Sequence, residues 1–191
     1  MSTTEPIRDP EQARELCDYF LKRGQIRNYV LAVMSLHTAL RVSDILRITW
    51  DDVYDFKANR FRDCITLTEK KTHKTKIIKL NSKIIFALNM YFQIAAGHNH
   101  PLFANSRTGK AISRIQAYRI IRAAAEALAF QTRVSSHSLR KTFGYFAWKN
   151  GVPVPIIMSI YNHSSYNVTR RYLGIDQDDK NEAYRKLAAI I

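Results

Sequence analysis

The stretch CITLTEKKTHKTKIIKL, residues 64–80, decides the fold. Two runs rich in β-branched residues, CITLTE and TKIIKL, flank a polar KKTHK. β-branched side chains fit a pleated surface, and two such runs around a short polar segment read as a hairpin. Lys70, Lys71 and Lys74 make its tip cationic. VYDF, residues 53–56, offers a third strand. On both sides of this region the apolar residues return to helical spacing. The chain is therefore expected to be mainly α with a small antiparallel β-sheet.

Working outward, DPEQARELCDYFLKRG (9–24) reads as a complete helix. Asp9 can cap it, Pro10 suits its first position and Gly24 stops it. IRNYVLAVMSLHTAL (26–40) is apolar enough to lie at the centre of a core, and Ser43 is read as the cap of a short helix, DILRI (44–48). Downstream, helical patterns run over SKIIFALNMYFQIAA (82–96), SRIQAYRIIRAAAEALA (113–129) and SLRKTFGYFAWKN (138–150), the last closed by Gly151. Short helical pieces follow from Pro155 to Tyr172. A tail helix, 176–191, places Ala183, Leu187, Ile190 and Ile191 on one face. No repeat or long linker interrupts the pattern, so residues 1–191 are expected to form a single domain.

The charge balance narrows the partner. Thirty Lys and Arg oppose sixteen Asp and Glu, a formal net charge of +14. Such an excess suits a polyanion, and double-stranded DNA is the first candidate because cationic side chains neutralise phosphates and release counterions. A membrane surface fits less well, since no lipidation motif or long apolar run is present. The polar N-terminus lacks the apolar centre of a signal peptide. Cys17 and Cys64 match no metal or disulfide framework and read as small apolar fillers in a reducing compartment, which points to the cytoplasm.

Four basic constellations could carry chemistry, and each has a plain structural reading beside it. Arg41, in TALRVSDILR, lies between two helical segments with Asp44 three residues on; the pair could be a purely structural ion pair. The hairpin lysines could deliver an ammonium group to a ligand, or simply solvate a loop. His137 and Arg140, in SSHSLRKTF, share one helix face near a serine-capped N-terminus, a good place for an oxyanion or phosphate. Their plain reading is a capped helix with a polar core histidine. His163, Arg170, Arg171 and Tyr172 fall on the short helices near the end, where the tyrosine could be a packing residue.

In combination and in this order, ALR…D, a lysine hairpin, HSLR, HSS and a tyrosine nine residues after His163 resemble the tyrosine recombinases, the phage integrase family. The resemblance covers nearly the whole chain. It implies a catalytic set of Arg41, Lys71, His137, Arg140, His163 and Tyr172, with Tyr172 as nucleophile and Lys71 as general acid. Lys70 and Lys74 are fallbacks for the acid, and with Arg170 and Arg171 are expected to contact DNA. Arg114, Arg119 and Arg122 are further DNA-contact candidates on one helix. The implied activity is cutting and rejoining of DNA through a 3′-phosphotyrosine, leading to integration, excision or inversion. A catalytically inactive DNA-binding relative and a type IB topoisomerase-like enzyme are the alternatives. No metal or other cofactor is expected, because two arginines can shield the phosphate; His98 and His100 alone are a weak metal signal. The implied assembly is a tetramer on two DNA sites, with a monomer when free. Two positions depart from the family pattern: Ala39 and Asn162 stand where glycine is usual, which is expected to change loop geometry slightly. A separate N-terminal DNA-binding domain, common in the family, is not expected within this chain. In size it resembles the short fimbrial phase-switch invertases.

Overall fold

Helix α2 (Ile26–His37) organises the molecule. Val30 to Ser35 are buried on every face, as a helix at the centre of a bundle requires. The computed structural model describes residues 4–175 together with Asn181, Tyr184, Arg185 and Leu187. Around α2 pack α1 (Pro10–Lys22), α5 (Ser82–Ala95) and α7 (Ser136–Lys149), with α6 (Arg114–Ala127) alongside. The helix ends follow side-chain chemistry. Asp9 caps α1 by accepting from the Glu11 amide, Asn81 caps α5, and Ser113 and Gln116 form a reciprocal capping box on α6.

The hairpin forms as read, with β3 (Cys64–Thr68) antiparallel to β4 (Thr75–Lys79) and Ile65 opposite Ile78. VYDF does not join it. Its central residues form β1 (Tyr54–Asp55), which pairs with β2 (Arg60–Phe61) as a separate two-stranded ribbon. The Asp55 carboxylate accepts the amides of Lys57 and Ala58, so the chain turns back at once and pairs with itself. Ser43 is not a cap either. Helix α3 (Val42–Ile45) starts two residues earlier, with Arg41 at its N-cap position in extended backbone and Ser43 inside the helix. A further short helix, α4 (Trp50–Val53), is closed by a Thr49–Asp52 capping box.

Among the described residues three apolar clusters divide the interior. One gathers around Trp50, Met34 and Leu88, and a second joins α1, α6 and α7 through Leu16, Phe20 and Leu139. The third, Ala39, Tyr145, Ile157, Tyr161, Leu173 and Ile175, lies under α8 (Val154–Tyr161) and α9 (Tyr166–Leu173). Cys17 and Cys64 are free and half-buried; burial, with Asp18 nearby, pushes the Cys17 thiol up to about 12, as suits a packing residue. Most of the expected tail helix, including Ala183, Ile190 and Ile191, lies outside the described residues.

Candidate active site

Arg41 reaches the site because of the turn before it. After α2 ends at Thr38, Ala39 takes a left-handed conformation (φ 54°), and buried Leu40 anchors the chain. The Arg41 carbonyl then accepts the amides of Asp44 and Ile45, while its side chain leaves the helix start. Its guanidinium does not pair with Asp44. Nη1 donates to Glu69 Oε1 at 2.8 Å, across 28 residues of chain. Asp44 is buried and accepts the Lys70 amide at 2.9 Å, so it ties the hairpin to α3.

On α7, Ser135 caps the helix by accepting the His137 amide, and the Ser138 hydroxyl returns to the Ser135 amide. This places His137 and Arg140 on one face a turn apart. Arg140 is 2% exposed. Its Nε donates to Tyr172 Oη at 3.2 Å, and its guanidinium carbon lies 4.8 Å from the centre of the Tyr161 ring. Tyr161 donates to the Arg140 carbonyl at 2.6 Å, so the arginine is held at both its backbone and its side chain. Arg140 Nη1 is buried without a hydrogen-bond partner among the described residues, as is Ser136 Oγ. A buried cationic donor left unpaired is costly, and an anion would relieve it.

The end of α8 supplies the second histidine. Asn162 adopts a left-handed conformation (φ 56°) and turns the chain into His163. Ala39 and Asn162, the two positions where glycine is usual, both take the left-handed conformation that glycine favours and that asparagine tolerates well. His163 Nδ1 lies 3.1 Å from Thr169 Oγ1, and its ring stacks on Tyr161. Ser165 caps α9 and Gly174 closes it at φ 67°. Tyr172, on the last turn of α9, meets the rings of His137 and His163 edge-on at 5.3 and 4.9 Å.

Five of the six residues implied by resemblance thus converge: Arg140 and both histidines contact Tyr172, and Arg41 is near enough to influence all three ionisable rings. The sixth, Lys71, lines an open cleft of about 1240 Å³ with Arg41, Lys70, Arg114, His137 and Arg140. Lys74 is exposed elsewhere on the hairpin tip. Arg171 is exposed, and Arg170 lies against the Tyr166 ring at 5.3 Å. Arg119 is exposed, and Arg122 pairs with Glu126 at 2.7 Å. His98 contacts Asp51 at 2.9 Å. Among the described residues no three His, Cys, Asp or Glu side chains converge to hold a metal, and no helix is long and apolar enough to cross a membrane.

Four contributors went unread in the sequence. Glu69 has a fully buried side chain; burial alone would raise its carboxyl, but the Thr72 hydroxyl and the Lys76 and Arg41 cations hold it down at about 2. Lys76 pairs with Glu69 at 3.2 Å and donates to the Ile160 carbonyl. Tyr161 buttresses Arg140, and Lys141 lies 5.2 Å from the centre of the Tyr172 ring while donating to the Thr4 carbonyl. Glu69 did leave one signal: it is the lone acid in a cationic hairpin.

The field of these cations sets protonation states. His137 opens onto the cleft, yet partial desolvation and then the charges of Lys141, Arg140 and Arg41 hold it down at about 4. His163 is lowered by burial and by Arg140, Arg41 and Lys76. Burial raises the Tyr172 phenol, while Arg140 and Arg41 pull it back. Both imidazoles are therefore neutral at neutral pH, beside a tyrosine that an arginine already contacts.

The profile described as "Phage integrase family" matches residues 8–178. A Bacillus subtilis (strain 168) protein named "Probable integrase/recombinase YoeC" is 37% identical over 185 residues, covering 97% of each chain. A "Tyrosine recombinase" of Pseudothermotoga lettingae is 24% identical over 178 residues, 93% of this chain and 59% of that one. Among solved structures, XerA recombinase superposes with a TM-score of 0.76 at 22% identity, over 96% of this chain and 66% of that chain. The XerH site-specific recombinase bound to palindromic difH substrate in a post-cleavage complex matches with a TM-score of 0.73 at 19% identity, over 92% of this chain and 51% of that one.

Proposed function

Because the chain belongs to the phage integrase family, we propose that it is a site-specific DNA recombinase that cuts and rejoins strands through a 3′-phosphotyrosine at Tyr172. The observation that carries this reading is the convergence on one hydroxyl: Arg140 Nε stands 3.2 Å from Tyr172 Oη, with both histidine rings against the same phenol.

The chemistry follows from what a phosphodiester needs. Its negative charge repels nucleophiles, so Arg41 and Arg140 bind the non-bridging oxygens and stabilise the charge that builds in the transition state. Arg140 Nη1 and the Arg41 donors not used by Glu69 are available for this. Tyr172 Oη attacks phosphorus and its proton passes to His137, which is neutral and able to accept it. The bond from phosphorus to the 5′-oxygen breaks, and Lys71 protonates the leaving oxygen. His163 donates to the phosphate once it gains a proton, which the incoming anion favours by offsetting the surrounding cations. Attack by a 5′-hydroxyl on the phosphotyrosine reverses these steps and rejoins the DNA. Bond energy is kept in the ester, so no ATP is consumed.

Lys70, Lys74, Arg170 and Arg171 serve as DNA contacts in this reading. Paired sites need four cleavages, so the working unit is a tetramer on two double-stranded DNA sites, assembled from monomers. Integration, excision and inversion are the same chemistry on differently arranged sites. The test uses nicked duplexes tiled across the DNA that flanks the gene, in which cleavage releases a short fragment and traps the adduct. A covalent protein–DNA band is expected with the wild-type protein. Specific binding without any adduct would favour an inactive DNA-binding relative, and relaxation of supercoils without strand exchange would favour a topoisomerase.

A further inference from the structure

The Glu69 carboxylate is enclosed by four donors from four parts of the fold. Oε1 accepts from Arg41 Nη1 at 2.8 Å and lies 3.2 Å from Lys76 Nζ. Oε2 accepts from the Thr72 hydroxyl at 2.6 Å and from Asn162 Nδ2 at 2.7 Å. Its backbone adds to this: the Glu69 amide donates to the Lys74 carbonyl and its own carbonyl accepts from His73, so Glu69 closes the tip that carries Lys70 and Lys71, while Asp44 holds the Lys70 amide from α3. An ion network of this kind could exist for stability alone. Its partners are not arbitrary, however. One is Arg41 itself, Thr72 directly follows Lys71, and Asn162 directly precedes His163.

Resting on the recombinase reading, we propose that Glu69 is the positioning residue of the site, locking Arg41, the Lys71 tip and the His163 turn into one geometry. It touches no reacting atom. It acts by fixing three groups that do, and side chains held only by long flexible stems lose rate steeply when their supports slip. The carboxylate also offsets two cations beside the DNA-binding cleft. Its removal therefore leaves the cleft more positive, so DNA binding holds or tightens while the chemical step slows. A purely structural role moves both in the same direction.

Glu69→Gln separates these roles. All four partners donate, and glutamine offers one acceptor oxygen and one donating amide, so one side of the network must break. Single-turnover cleavage at saturating nicked DNA is expected to fall on the order of 100-fold, with the DNA Kd unchanged or lower. A substrate with sulfur at the 5′-bridging position needs no proton on leaving. It should recover part of the Glu69→Gln loss, since the Lys71 tip is one of the displaced groups, and Glu69→Asp should fall between the two. Wild-type cleavage by Glu69→Gln overturns the proposal, as does a rate loss matched by weaker binding and a lowered Tm. Should Glu69→Gln not fold, Asn162→Gly, which suits the left-handed backbone, and Thr72→Val carry the test. Each is expected to slow cleavage several-fold with binding intact, and wild-type rates in both overturn the proposal. The wild-type protein is the control: no adduct from it removes the recombinase reading, whereas normal wild-type cleavage with normal Glu69→Gln cleavage removes only the role of Glu69.

Discussion

Gly144→Ala should damage the chemistry far more than the fold. Gly144 lies one turn after Arg140 on α7, where a Cβ would stand 2.6 Å from Leu173 Cδ2, 2.6 Å from Tyr161 Oη and 2.7 Å from Tyr161 Cε2. Carbon atoms pack at roughly 3.5–4.0 Å, so about 1 Å of room must be found. Alanine gains about 1 kcal/mol of helix propensity. Against that, overpacking costs about 1–3 kcal/mol. Tyr161 cannot retreat without stretching its buried 2.6 Å bond to the Arg140 carbonyl, which is worth about 1 kcal/mol. The net loss is about 1–3 kcal/mol, or roughly 2–12 °C in Tm for a domain of this size. Such a loss leaves a domain with typical stability folded at 25 °C. Leu173, however, is the neighbour of Tyr172 on α9, and Tyr161 packs against the Tyr172 ring. A displacement of about 1 Å at a reacting atom can cost on the order of 100-fold in rate. Single-turnover adduct formation at saturating DNA, read beside a melting curve, should show a small drop in Tm with a large drop in rate. Leu173→Ala in the same chain removes one of the close contacts and should return part of the rate. A Gly144→Ala protein that cleaves at the wild-type rate would refute the packing argument.

Arg41→Ala and Arg140→Ala should each slow cleavage by about 3–4 kcal/mol of lost transition-state stabilisation; wild-type turnover in either would return that arginine to a structural role. Lys71→Ala should be slow on ordinary DNA and rescued by a 5′-bridging sulfur, and absence of rescue would move the acid to Lys70, Lys74 or another group. His137 should titrate, by NMR of the ring protons in the free protein, with a midpoint near 4. It should therefore lose its proton as pH rises through that value and be neutral at pH 7. A midpoint at or above the ordinary histidine value would contradict the claim that partial desolvation and the charges of Lys141, Arg140 and Arg41 set its protonation state.

The parts legible in the sequence are those set by local chemistry. β-Branched runs marked the β3–β4 hairpin, Asp9 and Pro10 marked the start of α1, and the spacing of His137 and Arg140 put both on one face of α7. What could not be read was set by the chain folding back on itself. Asp44 is the nearest carboxylate to Arg41 in sequence, yet the hairpin brings Glu69 to it from 28 residues away. The β1–β2 ribbon is two residues long on each side, too short for an alternating pattern to declare itself. Ser43 looked like a cap because of its residue type, but Arg41 already begins the helix. Gly144 gives no sign in the sequence that Tyr161 and Leu173 press against it.

The central claim is that Tyr172 forms the covalent bond to DNA, and identifying the modified residue tests it most directly. The adduct trapped on a nicked duplex would be digested with nuclease and trypsin and sequenced by mass spectrometry. The account predicts a single phosphonucleotide on the first residue of YLGIDQDDK, residues 172–180, and no adduct from Tyr172→Phe. A nucleotide on any other residue, or an adduct that persists in Tyr172→Phe, would contradict it.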